Sequence, residues 1–152
     1  MKKRRPYLKH IFLFETGGLL YLLLELLWRG WTHWTMFFLG GACFICLGLI
    51  NEVLPWEMPL FQQVFVGACI ITGLEFVTGC IVNLWLGWGV WDYSGVPGNI
   101  LGQICLQYFA VWLPVSLACI VLDDLLRHWW WKEERPRYNI ALTKNKPRII
   151  WL

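Results

Sequence analysis

Charge is what this sequence has least of. Asp, Glu, Lys and Arg make up 15% of its 152 residues, against 58% hydrophobic, where a water-soluble domain carries nearer a quarter charged. That shortage excludes an ordinary soluble domain, because too little polar surface remains to coat a core. The middle of the chain is poorer still: between His10 and Leu126 the only Lys or Arg is Arg29. The net charge of +3 therefore describes two basic tails around an apolar block, and anionic lipid accounts for such tails more directly than nucleic acid does. There is no glycine-rich loop ending in Gly-Lys-Ser/Thr, so the chain carries no ATPase of its own. Neither HExxH, HxxxH, G-x-S-x-G nor a Ser-His-Asp arrangement occurs, and no catalytic residue, metal or cofactor is expected. Internal repeats and low-complexity segments are missing too.

What is present is apolar length. Runs from about Ile11 to Trp28, Trp34 to Leu54, Phe61 to Leu86 and Ile100 to Leu122 each approach the roughly 20 residues that cross a bilayer as a helix. The expectation is an all-α integral membrane protein of about four transmembrane helices. Residues 1–10 form a basic N-terminus, 11–126 the transmembrane domain and 127–152 a basic, aromatic tail. The first run has no small-residue cleavage site and reads as a retained helix rather than a signal peptide. Asn51 to Pro59 reads as a loop, with two prolines and two acids. Leu86 to Gly98 either re-enters the membrane or lies at its interface, and backbone at that depth needs shelter from lipid. The excess of Lys and Arg at the two ends makes both termini cytoplasmic. Trp28, Trp31, Trp34, Trp85, Trp88 and Trp91 then mark the outer boundary, with Trp56 and Trp129 to Trp131 at the inner one. All six cysteines fall inside apolar runs and read as packing thiols. Cys43 and Cys46 have CxxC spacing but no basic neighbour to activate a thiol.

Polar groups inside spans are costly, about 2.5 to 3.5 kcal/mol for a charge, so their placement carries information. Helical spacing puts Gly18, Tyr21, Glu25 and Arg29 on one face of the first span, with Glu25 and Arg29 in the favourable acid-before-base order. Ala68, Thr72, Glu75, Gly79 and Asn83 share a face of the third, and Asn99, Gln103 and Gln107 recur every fourth residue at the fourth. Gly40, Gly41 and Gly48 suit close packing of the second. Topology brings Glu25, Arg29, His33, Asn83, Asp92, Tyr93, Asn99 and Gln103 toward the outer leaflet with Glu75 deeper, predicting an outward-open polar pocket between spans one, three and four. The same groups could instead satisfy one another and lock the bundle. Arg29 with Asp92 is the expected charged pair. His33 with Asp92 could form an acid–base or metal pair, with hydrogen bonding by His33 the simpler reading.

The stretches LELLWRGWTHWTMFF (24–38), Gly40-Gly41, Ile50-Asn51, ITGLEFVTGCIVN (71–83) and VWDYSGVPGNILGQIC (90–105) resemble a bacterial ABC-transporter permease family called type IV or CmpB-like. The resemblance covers most of residues 17 to 112, and its motif positions include Arg29, His33, Glu75, Asn83, Asp92 and Gln103. It implies a multi-pass protein of the bacterial inner membrane that transports or permeates a small polar solute or ion. With so few spans it also implies a homo-oligomer or a partner subunit. A separate ATPase would have to join it, for which the chain itself offers no evident docking surface. Two other classes remain open from the residues: a membrane-embedded enzyme acting on a lipid or quinone-like substrate, and a non-catalytic subunit of a larger complex.

Overall fold

Lipid offers the backbone no hydrogen-bond partner, so long apolar runs become helices that satisfy themselves. The computed structural model describes residues 6–141 and 147–152. The basic stretch at residues 1–5, and Lys144 and Lys146 of the tail, lie outside the described residues. The helices are α1 (Pro6–Arg29), α2 (Thr35–Gly48), the single turn α3 (Ile50–Val53), α4 (Leu60–Gly79) and α5 (Leu106–Trp131). Four stretches are long and apolar enough to cross a membrane: Tyr7–Arg29, Thr35–Val53, Leu60–Trp85 and Leu106–Trp131. The protein is all-α and multi-pass.

Local chemistry sets the ends. α1 stops at Gly30, whose φ of 76° is the left-handed conformation that closes a helix, with its N–H returned 3.1 Å to the Leu26 carbonyl. α5 stops at Lys132, φ 60°, in the same way. α4 continues as one π-helical stretch, Cys80–Trp85, where the Leu86 N–H reaches the Ile81 carbonyl at 2.9 Å, five residues back.

Two boundaries differ from the sequence reading. The loop begun at Asn51 starts later, because Ile50–Val53 continues the second span as a helical turn and Asn51 is buried. The fourth span starts at Leu106 rather than near Ile100. Asn99–Ile100 (β1) and Ile104–Cys105 (β2) pair antiparallel ahead of it, around Leu101 and Gly102 at φ 52° and 68°. Asn99, Gln103 and Gln107 therefore do not form a helical stripe.

Packing is uneven around the bundle. α1 lies on α2 and α4 on α5, α2 touches both α4 and α5, and α1 barely meets α5. Glycine makes the α1–α2 seam: a Cβ on Gly17 would overlap the Cβ of Phe44, and one on Gly40 would overlap that of Tyr21. Small residues give membrane helices this approach, where dispersion rather than water exclusion holds them together. Met36, Leu47, Ile71 and Ile120 fill the centre. Lys9 pairs with Glu133 at 2.7 Å, so the start of α1 and the end of α5 share one end of the bundle, called here the terminus-bearing end. The tail folds back there, with Arg137–Asn139 (β3) antiparallel to Ile149–Trp151 (β4) and Asn139 bridged to Pro59 ahead of α4.

Gly40→Leu is expected to lower stability by about 1 to 3 kcal/mol through overpacking. Gly73→Leu, where nothing lies within 4 Å of an added Cβ, should leave it nearly unchanged. Thermal unfolding in detergent, followed by tryptophan fluorescence, checks the contrast.

Candidate functional site

The end opposite the termini is organised by two polar nodes. The first begins on α1, where Glu25 and Arg29 meet one turn apart at 2.7 Å and Glu25 also accepts from the Thr32 hydroxyl at 2.5 Å. Arg29 lies over the Trp31 ring, 4.1 Å from its centroid, and donates to the Val90 carbonyl at 3.2 Å. The Val90 N–H donates in turn to the Asn83 side-chain oxygen at 2.7 Å. The amide nitrogen of Asn83 donates 2.8 Å to Gln103, and the Gln103 backbone carbonyl accepts from the Trp91 indole at 3.0 Å. One loop residue, Val90, is thus held on both backbone groups, by α1 and by the end of the third span.

The second node is Glu75, the single charged residue of the third span, 3% exposed. Each of its oxygens accepts one hydrogen bond at 2.9 Å, from the Tyr93 hydroxyl of the loop and from the Trp112 indole of α5. About 12 Å of helix rise separates Glu75 from Asn83, at 1.5 Å per residue, so the nodes lie at different depths. Beside Tyr93 and Trp112, a cleft of about 180 Å³ opens between α1 and α5. Tyr21, Glu25, Arg29, Tyr93, Tyr108 and Trp112 are among its lining residues. The Tyr93 ring stacks on Tyr108 at 4.5 Å.

Of the residues singled out in the sequence, the structure joins Glu25, Arg29, Asn83 and Gln103 through Val90, and Glu75 with Tyr93. Asp92, Asn99 and His33 stand apart. Asp92 is exposed, and its carboxylate accepts from the backbone N–H of Ser94 at 2.8 Å and from the Ser94 hydroxyl. Arg29 pairs with Glu25 in its place: helical spacing fixes that partner, whereas Asp92 is turned into its own loop. Asn99 donates to the Val96 carbonyl at 2.8 Å and accepts from the Gly102 N–H at 2.9 Å, so it shapes the loop from within. His33 Nδ1 lies 2.8 Å from the Thr35 hydroxyl at the start of α2, and its ring sits 5.7 Å from Trp88. It faces those groups and not Asp92.

The sequence reading missed a third polar cluster, at the terminus-bearing end. Asp123, Asp124, Arg127 and Asn51 are all buried. Arg127 donates to Asp123 at 2.5 Å and meets Glu52 of α3. Asp124 accepts from Asn51 and from the Tyr138 hydroxyl, each at 2.6 Å. The spacing of Asp123 to Arg127 equals that of Glu25 to Arg29 and was the available signal.

Two groups in the loop have shifted acidities. Side-chain and backbone hydrogen bonds from Ser94 hold the Asp92 carboxyl below its ordinary value. A depressed acid contributes fully above its unfolded value and is lost only as pH falls through the lowered one, so this turn stays capped across the neutral range. Burial, then the Glu75 charge and hydrogen bond, push the Tyr93 phenol well above its usual value. Its contribution is full below the ordinary phenol value and is lost only as pH rises through the raised one. Tyr93 therefore keeps its proton for Glu75 at any physiological pH.

The family model described as "Putative ABC-transporter type IV" matches residues 12–142. No curated protein and no solved structure matches the chain.

Asn83→Leu strips partners from the Val90 N–H and the Gln103 side chain, and should cost about 1 to 3 kcal/mol for each group left unpaired. Hydrogen–deuterium exchange should rise at Val90, with Asp92→Asn, which keeps an acceptor for Ser94, as the near-silent control.

Proposed function

We infer the function from one premise: the chain belongs to the ABC-transporter type IV family. We propose that it is the membrane-spanning component of a transport system, and that its solute is handled in the α1–α5 cleft with Glu75 as the deep ionisable group. The observation that carries this reading is the way Glu75 is held. Its two donors come from different elements, one of them the loop between the third and fourth spans. Withdrawal of Tyr93 would uncover the carboxylate on the cleft side while Trp112 kept it oriented. A deep carboxylate under a removable donor is a group that can exchange partners during transport. In this reading Glu25 and Arg29 form a charged pair in the cleft wall. Asn83, Gln103 and Asn99 hold the loop, and Asp92 and His33 stabilise the turns beside it.

The basic residues concentrated at the terminus-bearing end favour a cytoplasmic placement of that end in a bacterial cell membrane, with the cleft toward the outer leaflet. The family description supplies the reason to add a separate ATPase, and a chain of four spans calls for a second copy or partner subunit beside it. The terminus-bearing end is where an ATPase would meet the protein.

A second reading, a non-catalytic subunit of a larger membrane complex, is favoured by how fully the two nodes satisfy themselves. Membrane vesicles bearing the protein and its native partners separate the two. Loaded with a defined mixture of small polar and amphipathic solutes and assayed by mass spectrometry, they should lose at least one flux by about tenfold or more with Glu75→Gln, equivalent to about 1.4 kcal/mol. Asp92→Asn should stay near wild type. Fluxes equal to wild type in the well-folded Glu75→Gln protein would remove Glu75 from the mechanism.

A further inference from the structure

We propose that the cleft between α1 and α5 is a lateral binding site, open to the bilayer, for an acyl-chain amphiphile with an oxygen-acceptor head; this names the ligand class of the transport reading and rests on that reading for the ligand's fate. Three observations carry it. The first is where the gap lies: α1 is seated on α2 and α5 on α4, so the α1–α5 seam is left unclosed. Its rim residues Leu24, Trp28 and Val111 are exposed. Because the seam runs between two membrane-spanning helices, that exposure is to lipid.

The second is size and lining. The cleft holds about 180 Å³, below the roughly 300 to 1,000 Å³ of pockets that enclose a drug-sized ligand. Its walls are mostly carbon, from Leu24, Trp28, Val111 and Val115 together with the tyrosine and Trp112 rings. A head group and the first part of a chain fit inside, and the remainder of the chain lies in the surrounding lipid.

The third is which polar groups remain unclaimed. Tyr93 and Trp112 have spent their donors on Glu75. Arg29, also in the lining, carries a guanidinium, which only donates. The hydroxyls of Tyr21 and Tyr108, both in the lining, make no hydrogen bond among the described residues. A wall that offers two unclaimed hydroxyls and a guanidinium, and whose nearby acids are already engaged, Glu25 by Arg29 and Thr32 and Glu75 by Tyr93 and Trp112, selects an acceptor: a carboxylate or an ester carbonyl on an acyl chain.

The full-length chain in lipid nanodiscs can be photolabelled with three diazirine probes of equal length: a fatty acid, its methyl ester and an alkane. Sites are mapped by mass spectrometry. The cleft is expected to label, at Tyr21 to Arg29 and Tyr108 to Trp112, at least fivefold over the apolar groove that includes Phe61 and Phe65, with the acid or the ester but not with the alkane. Whichever of the two labels more identifies the head. Replacing both Tyr21 and Tyr108 with Phe keeps the rings, removes two hydroxyls and should bring the cleft-to-groove ratio down to that of the alkane, since two hydrogen bonds are worth about tenfold or more. Equal labelling of cleft and groove by all three probes overturns the proposal, as does a preference unchanged in the double variant. Labelling measures occupancy alone. An occupied cleft in vesicles that move nothing would defeat the transport reading and leave the site standing, and transport without cleft labelling would do the reverse.

Discussion

A carboxylate among apolar helices keeps its position only where the protein itself brings donors to it, since lipid supplies none. Glu75 has one donor from α5 and one from the loop ahead of β1, and both reach it from elements remote in sequence. Because each oxygen has a separate claimant, the distance between loop and helix is fixed along with the side chain. Val90 repeats the device with backbone groups: its N–H and carbonyl are taken by Asn83 and Arg29. The loop-bearing end is therefore joined by directional contacts across three elements. The α1–α2 seam, by contrast, is held by close backbone approach and by the Phe14 ring against Phe37.

The two ends of the bundle use polarity differently. At the terminus-bearing end, acids meet cations directly: Asp123 and Glu52 both face Arg127, and Lys9 meets Glu133. Removing one member there strands a buried charge, which is strongly destabilising. Such a cluster suits a permanent joint between helices and tail. At the loop end Glu25 and Arg29 pair in the same direct way, but the deep acid, Glu75, is met by neutral donors that can leave without stranding a charge of their own.

Much of this could be read from the sequence, because span length and charge depletion are dominated by a single solvent. The Glu25–Arg29 pair was legible for the same reason that helical pairs usually are: spacing along one helix fixes the geometry. Arg29 with Asp92 was not, since topology gives the depth of a loop residue and leaves its direction open. The period of four in Asn99, Gln103 and Gln107 imitated a helix. A turn with two positive φ angles intervened, and nothing at Leu101 announces such a conformation. Asp123, Asp124 and Arg127 were missed because compositional bias assigned Arg127 to a solvated tail, whereas the helix continues to Trp131. Its own spacing argued otherwise.

The π-helical stretch at Cys80–Trp85 has a consequence for how the protein can change in length. An extra residue accommodated within one helical turn shifts everything beyond it by about 100°, the angle a residue occupies in an ordinary helix. Asn83 lies inside that stretch, and its bond to Val90 depends on the displaced register. Loss of the codon for Ile81 or Val82 would rotate Asn83 by about that angle and turn it away from the loop, so homologous chains that keep this polar joint should keep the spacing from Glu75 to Asn83 even where neighbouring loops grow or shrink.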